Sequence, residues 1–111
     1  MIIWNRLKYV LSPQFDIYEN IYKVVSGNVA DIGCGTGFGT HLLTINSDNV
    51  HGYEVDDGAL DFSKKVFPIN SLQFLRGDIQ EGIESDILYN FIIMIDVIEH
   101  LENDKKALEN V

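Results

Sequence analysis

The sequence predicts an α/β fold built on a doubly wound parallel sheet, and three observations carry that expectation. Short strand-like stretches at 29–32, 50–55, 72–75 and 91–95 alternate with stretches whose apolar residues recur at helical spacing. The last run, Phe91-Ile92-Ile93-Met94-Ile95, is apolar on both faces, as a central strand covered on two sides must be. The first run leads directly into four glycines within seven positions, Gly33, Gly35, Gly37 and Gly39. Glycine is costly inside regular structure, so such a cluster marks a tight turn that lets a ligand approach the backbone.

The elements follow in order. Ile3, Leu7, Val10 and Leu11 share one helical face, and Ser12-Pro13 ends that helix. Ile17, Ile21, Val24 and Val25 form a second helical stripe, stopped at Gly27-Asn28. These two helices make residues 1–28 an N-terminal helical segment, and Tyr18 or Tyr22 stands where it could line a pocket beside the glycine loop. Residues 29–111 form the second unit, a ligand-binding domain. In it, strand 29–32 is followed by a crossover helix over 36–45, a turn at 46–49 and a strand over 50–55. Asp56-Asp57-Gly58 has helix-cap chemistry, and helix 59–67 turns Leu60, Phe62 or Ser63, and Phe67 inward. After strand 72–75, residues 80–86 are polar and irregular, and strand 91–95 leads into a helix that begins near Asp104. There is no repeat, low-complexity tract or linker.

Bulk properties narrow the function. A chain of 111 residues with 46% apolar content holds one domain. Seventeen acidic against eight basic residues, a net charge of −9, disfavour nucleic-acid binding by this segment. One cysteine excludes an internal disulfide and fits a reducing compartment. No apolar run reaches membrane-spanning length, and the N-terminus lacks the shape of a signal peptide, so a cytoplasmic protein is expected. Cys34, His41, His51 and His100 have no metal-ligand spacing, and no metal is expected.

The chemistry gathers at strand ends. Asp31, Glu54, Asp78 and Asp96 each stand at or just beyond the end of a predicted strand. In an open parallel sheet those ends border one crevice. The loop reads D-x-G-x-G-x-G. Counting six from Gly33 gives Phe38 and from Gly35 gives Thr40, so the dinucleotide pattern G-x-G-x-x-G is missing, as is the Gly-Lys-Ser/Thr of a phosphate loop. An acid beside the loop suits a cationic ligand better than a pyrophosphate. S-adenosylmethionine carries an ammonium and a sulfonium and no phosphate.

Over residues 29–101 the sequence resembles the class I S-adenosylmethionine-dependent methyltransferases. Val29-Ala30-Asp31-Ile32-Gly33-Cys34-Gly35-Thr36-Gly37 resembles their first motif, and Gly52-Tyr53-Glu54 the acidic end of their second strand. Gly77-Asp78-Ile79 resembles their adenine-contacting step, and Asp96-Val97-Ile98-Glu99-His100-Leu101 the segment after their fourth strand. Asn90 stands where that family often has Asp. The resemblance implies a Rossmann-like sheet of order 3-2-1-4-5-7-6, of which this chain supplies strands one to four: a truncated sheet. It implies S-adenosylmethionine as cofactor. Asp31 would face its ammonium, directly or through water. Gly33, Cys34, Gly35 and Gly37 would bring backbone to its methionine and ribose, with Cys34 packing rather than reacting. Glu54, followed by Val55, would accept both ribose hydroxyls. Asp78 would accept from the adenine amino group with the Ile79 amide beside it, and Ile95 and Asp96 would close over the methionine end. His100 would support the pocket or reach the acceptor, while His41 and His51 are surface or packing residues.

The implied function is methyl transfer to an acceptor that the sequence does not identify, with no catalytic residue assigned. Because the acceptor half of the family's sheet is missing, the 111-residue chain alone is expected to be inactive. The alternatives are a non-catalytic S-adenosylmethionine or nucleotide-binding module and, against the glycine register, a nicotinamide-dependent oxidoreductase. The truncation also leaves the outer edge of the fourth strand without a neighbour. An apolar edge recruits another chain, so a homodimer through that edge is expected unless the N-terminal helix with Ile3, Trp4 and Leu7 folds over it.

Overall fold

The computed structural model describes residues 2–4 and 14–95, with side chains from residue 17 onward. Its strands are β1 (Ile2–Trp4), β2 (Gly27–Ile32), β3 (Ser47–Glu54), β4 (Leu72–Arg76) and β5 (Phe91–Met94). Its helices are α1 (Gln14–Ile21), a 3₁₀ helix (Thr40–Ile45) and α2 (Asp57–Val66). The five strands form one all-parallel sheet in the order β1-β5-β2-β3-β4. The four strands expected from the strand-like stretches are β2, β3, β4 and β5, and they stand in the order the resemblance implies.

Two elements depart from expectation. Ile2–Trp4 is a strand rather than part of a helix, and it pairs in parallel with β5, Ile2 opposite Ile92 and Trp4 opposite Met94. The apolar β5 offers a row of backbone donors and acceptors on its outer side, and a β-branched and aromatic tripeptide is well suited to meet them. The edge expected to recruit a second copy is therefore occupied, and the premise of a homodimer through it falls. The rest of the predicted N-terminal helix, with Leu7, Val10 and Leu11, lies outside the described residues, as do Asp96 and His100. The second departure is the crossover helix predicted over 36–45. Residues 33–39 form an irregular turn, and only Thr40–Ile45 are helical, in 3₁₀ geometry. The glycine loop consumes the first turn, and the six residues left before Asn46 are too few for a stable α-helix. The tighter 3₁₀ form spans more length per residue.

The remaining elements form for local reasons. The Asp56 side chain accepts the Ala59 amide at 2.8 Å and starts α2, whose Leu60 and Ser63 are buried while Phe62 stays 42% exposed. Ser63, not Phe62, is thus the inward residue. On the helical face of the sheet, Ile17, Tyr18, Ile21 and Val25 pack with Leu43, Val50, Leu60, Leu72 and Phe74. On the other face, Ala30, Ile32, Tyr53, Ile79 and Met94 form a second cluster against Ile83 and Tyr89, which belong to the helix-free crossover between β4 and β5.

At the amino-terminal end of the sheet, asparagines join three strands. The Asn28 amide donates to Asn90 Oδ1 at 2.9 Å, and the Asn90 amide donates to the Asn28 carbonyl at 2.7 Å. Asn28 Nδ2 donates to the Leu88 carbonyl at 3.2 Å, and Asn49 Nδ2 donates to Asn28 Oδ1 at 3.0 Å. The β2–β3 register shifts between Gly27 and Asn28, beside this clasp.

Candidate cofactor-binding site

The opposite, carboxyl end of the sheet carries the predicted site. As β2 ends, the amides of Gly33 and Cys34 both donate to the Tyr53 carbonyl, at 2.8 and 3.0 Å, which folds the loop against β3. Gly37 has a φ of 88°, and a Cβ there would lie 2.7 Å from the Phe74 ring. A Cβ on Gly39 would lie 2.0 Å from the ring of Tyr18. The loop is thus pressed between β4 on one side and α1 on the other, and side chains at these two positions would force it away.

Asp31 is fully buried. Its Oδ2 accepts two hydrogen bonds, from the Tyr18 hydroxyl and from Thr40 Oγ1, each at 2.8 Å. Its Oδ1 is also buried and has no hydrogen-bond partner among the described residues. Burial raises the Asp31 carboxyl to about 7, and the nearby Glu54 charge adds to the rise, while the bonds from Thr40 and Tyr18 oppose it. The carboxylate is therefore charged at the upper end of the physiological range and has one acceptor to spare. An unpaired buried acceptor is costly, so a donor or cation nearby would be favoured.

Glu54 joins β3 to the glycine loop and to the start of α2. Its Oε1 accepts the Gly35 amide at 2.8 Å, and its Oε2 accepts the amides of Val55 and Asp56 at 3.0 Å. Three of its four lone-pair positions are thus in use by backbone. Beyond it, Val55, Arg76, Gly77, Asp78, Glu81 and Gly82 line a cleft of about 340 Å³. Asp78 Oδ1 accepts the Gln80 amide at 2.9 Å. Arg76 donates to the Val55 carbonyl at 2.7 Å and pairs with Asp57 at the rim. Ile79 is buried behind the cleft, and Ile95 is buried in the core on the helical side.

The predicted residues therefore sort into two groups. Asp31, Gly33, Cys34, Gly35, Gly37 and Glu54 meet at the loop, and Val55 and Asp78 line the neighbouring cleft. Cys34 is 7% exposed, and burial, with the charges of Asp31 and Glu54, pushes its thiol well above the ordinary range, so it packs and does not react. His41 stacks on Phe67 with ring centres 4.6 Å apart. His51 bonds through Nδ1 to the Tyr89 hydroxyl at 2.7 Å, and burial lowers its basicity. His51, Tyr53, Gln73 and Leu75 face a second cleft, of about 390 Å³, which holds none of the predicted cofactor residues. No group of three metal-ligating side chains occurs among the described residues. Sequence reasoning missed Thr40 as a donor to Asp31 and missed the backbone bonds of Glu54. It places Tyr18 beside the loop, but the bond from Tyr18 to Asp31, thirteen positions away, arises only in the tertiary fold.

A parallel sheet whose carboxyl edge joins a glycine loop, a buried acid and a second acid at the next strand defines a cofactor-binding α/β domain. The chain belongs to the family described as "Methyltransferase domain", which matches residues 30–111, and so to the S-adenosylmethionine-dependent class I methyltransferases. Among curated proteins, the ubiquinone biosynthesis O-methyltransferases of Rickettsia felis and Rickettsia bellii are each 28% identical over 108 residues, covering 96% of this chain and 43% of theirs. The chain thus spans less than half the length of the curated relatives it matches. Among solved structures, S-adenosylmethionine-bound CalS10 from Micromonospora echinaspora, an amino pentose methyltransferase, superposes with a TM-score of 0.73 at 15% identity, over 89% of this chain and 45% of that one. A TehB-like S-adenosylmethionine-dependent methyltransferase from Corynebacterium glutamicum gives 0.73 at 23% identity, over 95% and 59%. These two likenesses establish the fold. No helix among the described residues is long and apolar enough to cross a membrane.

Proposed function

We propose that this chain is the cofactor-binding portion of a methyltransferase that uses S-adenosylmethionine to methylate an acceptor. The observation that carries the reading is the buried Asp31 carboxylate, whose Oδ1 has no partner among the described residues, beneath a glycine loop that Glu54 fastens through the Gly35 amide. When bound, the cofactor supplies an electrophilic methyl group on a sulfonium. Asp31 provides the negative charge for its ammonium. The amides of the loop and the last free lone pair of Glu54 meet its ribose, and the cleft of Val55 and Asp78 takes its adenine. The family resemblance alone assigns Ile95, and Asp96 outside the described residues, to its methionine end. Within the described residues before the loop, α1 packs on it through the Tyr18 ring at Gly39, and the strands from Gly27 onward belong to the cofactor-binding sheet. The shared name of the curated relatives makes an oxygen nucleophile the first acceptor class to test. The net charge of −9 supports an acceptor other than nucleic acid, and the single buried thiol supports a cytoplasmic setting. Calorimetric titration with S-adenosylmethionine, S-adenosylhomocysteine and NAD tests the reading. The first two are expected to bind and NAD to give no heat; tight NAD binding with no response to S-adenosylmethionine would overturn it.

A further inference from the structure

Asp31 takes its charge-stabilising bonds from outside its own strand. Tyr18 reaches it from α1 and Thr40 from the 3₁₀ helix, and both donate to the same oxygen, Oδ2. Hydrogen bonds to the charged form are what favour ionisation of a buried carboxyl, against the desolvation that opposes it. Among the described residues, the other titratable groups acting on this carboxyl are Glu54 at the end of β3 and Cys34 in the loop. Glu54 disfavours a second negative charge, and the buried thiol stays neutral. Beside Asp31, β3 and β5 contribute Gly52 and Ile93 in register, neither of which titrates. Among the described residues, the two hydroxyls are thus the groups that favour the carboxylate as an anion. The ring of Tyr18 also lies on the backbone of Gly39, so the residue that bonds the acid is packed on the loop as well.

We propose that Tyr18 is a positioning residue for cofactor binding: by bonding Oδ2 it holds Asp31 in the ionised form that attracts the cofactor's ammonium, with Thr40 as its partner. The proposal rests on the S-adenosylmethionine reading above. Tyr18 is itself buried, as Asp31 is, so Tyr18 acts on the ligand through the charge it maintains. Near neutral pH, binding of an ammonium ligand then drives a proton from the Asp31 carboxyl to solvent.

The test compares two probes on the full chain. S-adenosylhomocysteine carries the ammonium; 5′-methylthioadenosine keeps the adenine and ribose and lacks the amino-acid end. Calorimetric titrations at several values between pH 6 and 8.5 are made on wild type, Tyr18→Phe and Thr40→Val. Phenylalanine preserves the ring packed on Gly39, and Thr40→Val serves if the first variant fails a thermal-melting check. In wild type, affinity for S-adenosylhomocysteine should rise with pH through the neutral range. In either variant that rise should move to higher pH by roughly one pH unit, with affinity at pH 7 lowered about fivefold. Affinity for 5′-methylthioadenosine should be unchanged, and Thr40→Ser should restore the wild-type profile. An equal loss for both probes at every pH, or no change for either, would overturn the positioning role. If wild type binds neither probe, the cofactor reading itself falls and takes this proposal with it.

Discussion

Asp31 ties stability to pH with an unusual sign. Its folded carboxyl is raised to about 7 from an ordinary value of 3.8, so the folded state holds the proton more firmly than the unfolded chain. The stability this group contributes is complete below the unfolded value and is lost as pH rises through the folded one. Asp31→Asn keeps an acceptor for Tyr18 and Thr40, cannot ionise, and should lack that loss. Between pH 5 and pH 8 the ligand-free variant is expected to gain on the wild type by a few kcal/mol, on the order of 1.4 kcal/mol for each pH unit over which the folded state alone keeps the proton. Urea melts at the two pH values check this, and parallel changes in both proteins would contradict it. The acid itself was legible in the sequence, because Val-Ala-Asp-Ile ahead of a glycine cluster is a local pattern. Its surroundings were not, because Tyr18 and Thr40 reach it only after α1 and the 3₁₀ helix have packed.

Among elements, the glycine loop depends on Glu54 more than its sequence indicates. An acid closing a strand reads as a ligand-binding residue, and the bonds to Gly35, Val55 and Asp56 make it a fastening as well. On the proposed role, a ribose hydroxyl would meet a carboxylate already held in place, which limits the ordering cost of binding. Glu54→Ala should raise the Kd for S-adenosylhomocysteine roughly ten- to hundredfold, from the loss of one charged hydrogen bond worth about 1.5–3 kcal/mol. Calorimetry on a variant shown to be folded decides it, and an unchanged Kd would remove Glu54 from the site. β5 was readable because a continuous apolar run leaves few alternatives for a buried parallel strand, and β3 and β4 because their apolar residues stand in short runs bounded by turn residues. The 3₁₀ helix was not, since Thr40–Ile45 has acceptable α-helical residues and only the length taken up by the loop forbids the wider coil. Ile2–Trp4 was misread for a related reason: its apolar spacing suits a helix, and the open side of β5 overrides that local preference.

At the scale of the molecule, the order of four strands followed from the resemblance, whereas the occupant of the outer edge did not, because pairing partners far apart in sequence leave no local trace. A parallel sheet also has no hairpin turns to set its alignment, since every connection crosses a face. Here the asparagine clasp at the amino-terminal end supplies alignment, linking Asn28 to Asn49 and to Leu88 and Asn90, with sequence separations of 21 and about 60 residues. Bonds that close such long stretches of chain form only after most of the folding barrier has been crossed. The clasp should then act as a latch on escape from the native state rather than as a guide toward it. Asn28→Ala, which removes two side-chain bonds worth about 1 kcal/mol together, should speed unfolding about fivefold and leave the refolding rate nearly unchanged. Stopped-flow measurements in urea distinguish this from slowed refolding, which would place the clasp early. A fold whose lifetime is set at one end of its sheet can keep the opposite end, where the proposed cofactor site lies, free to open and close many times before the whole comes apart.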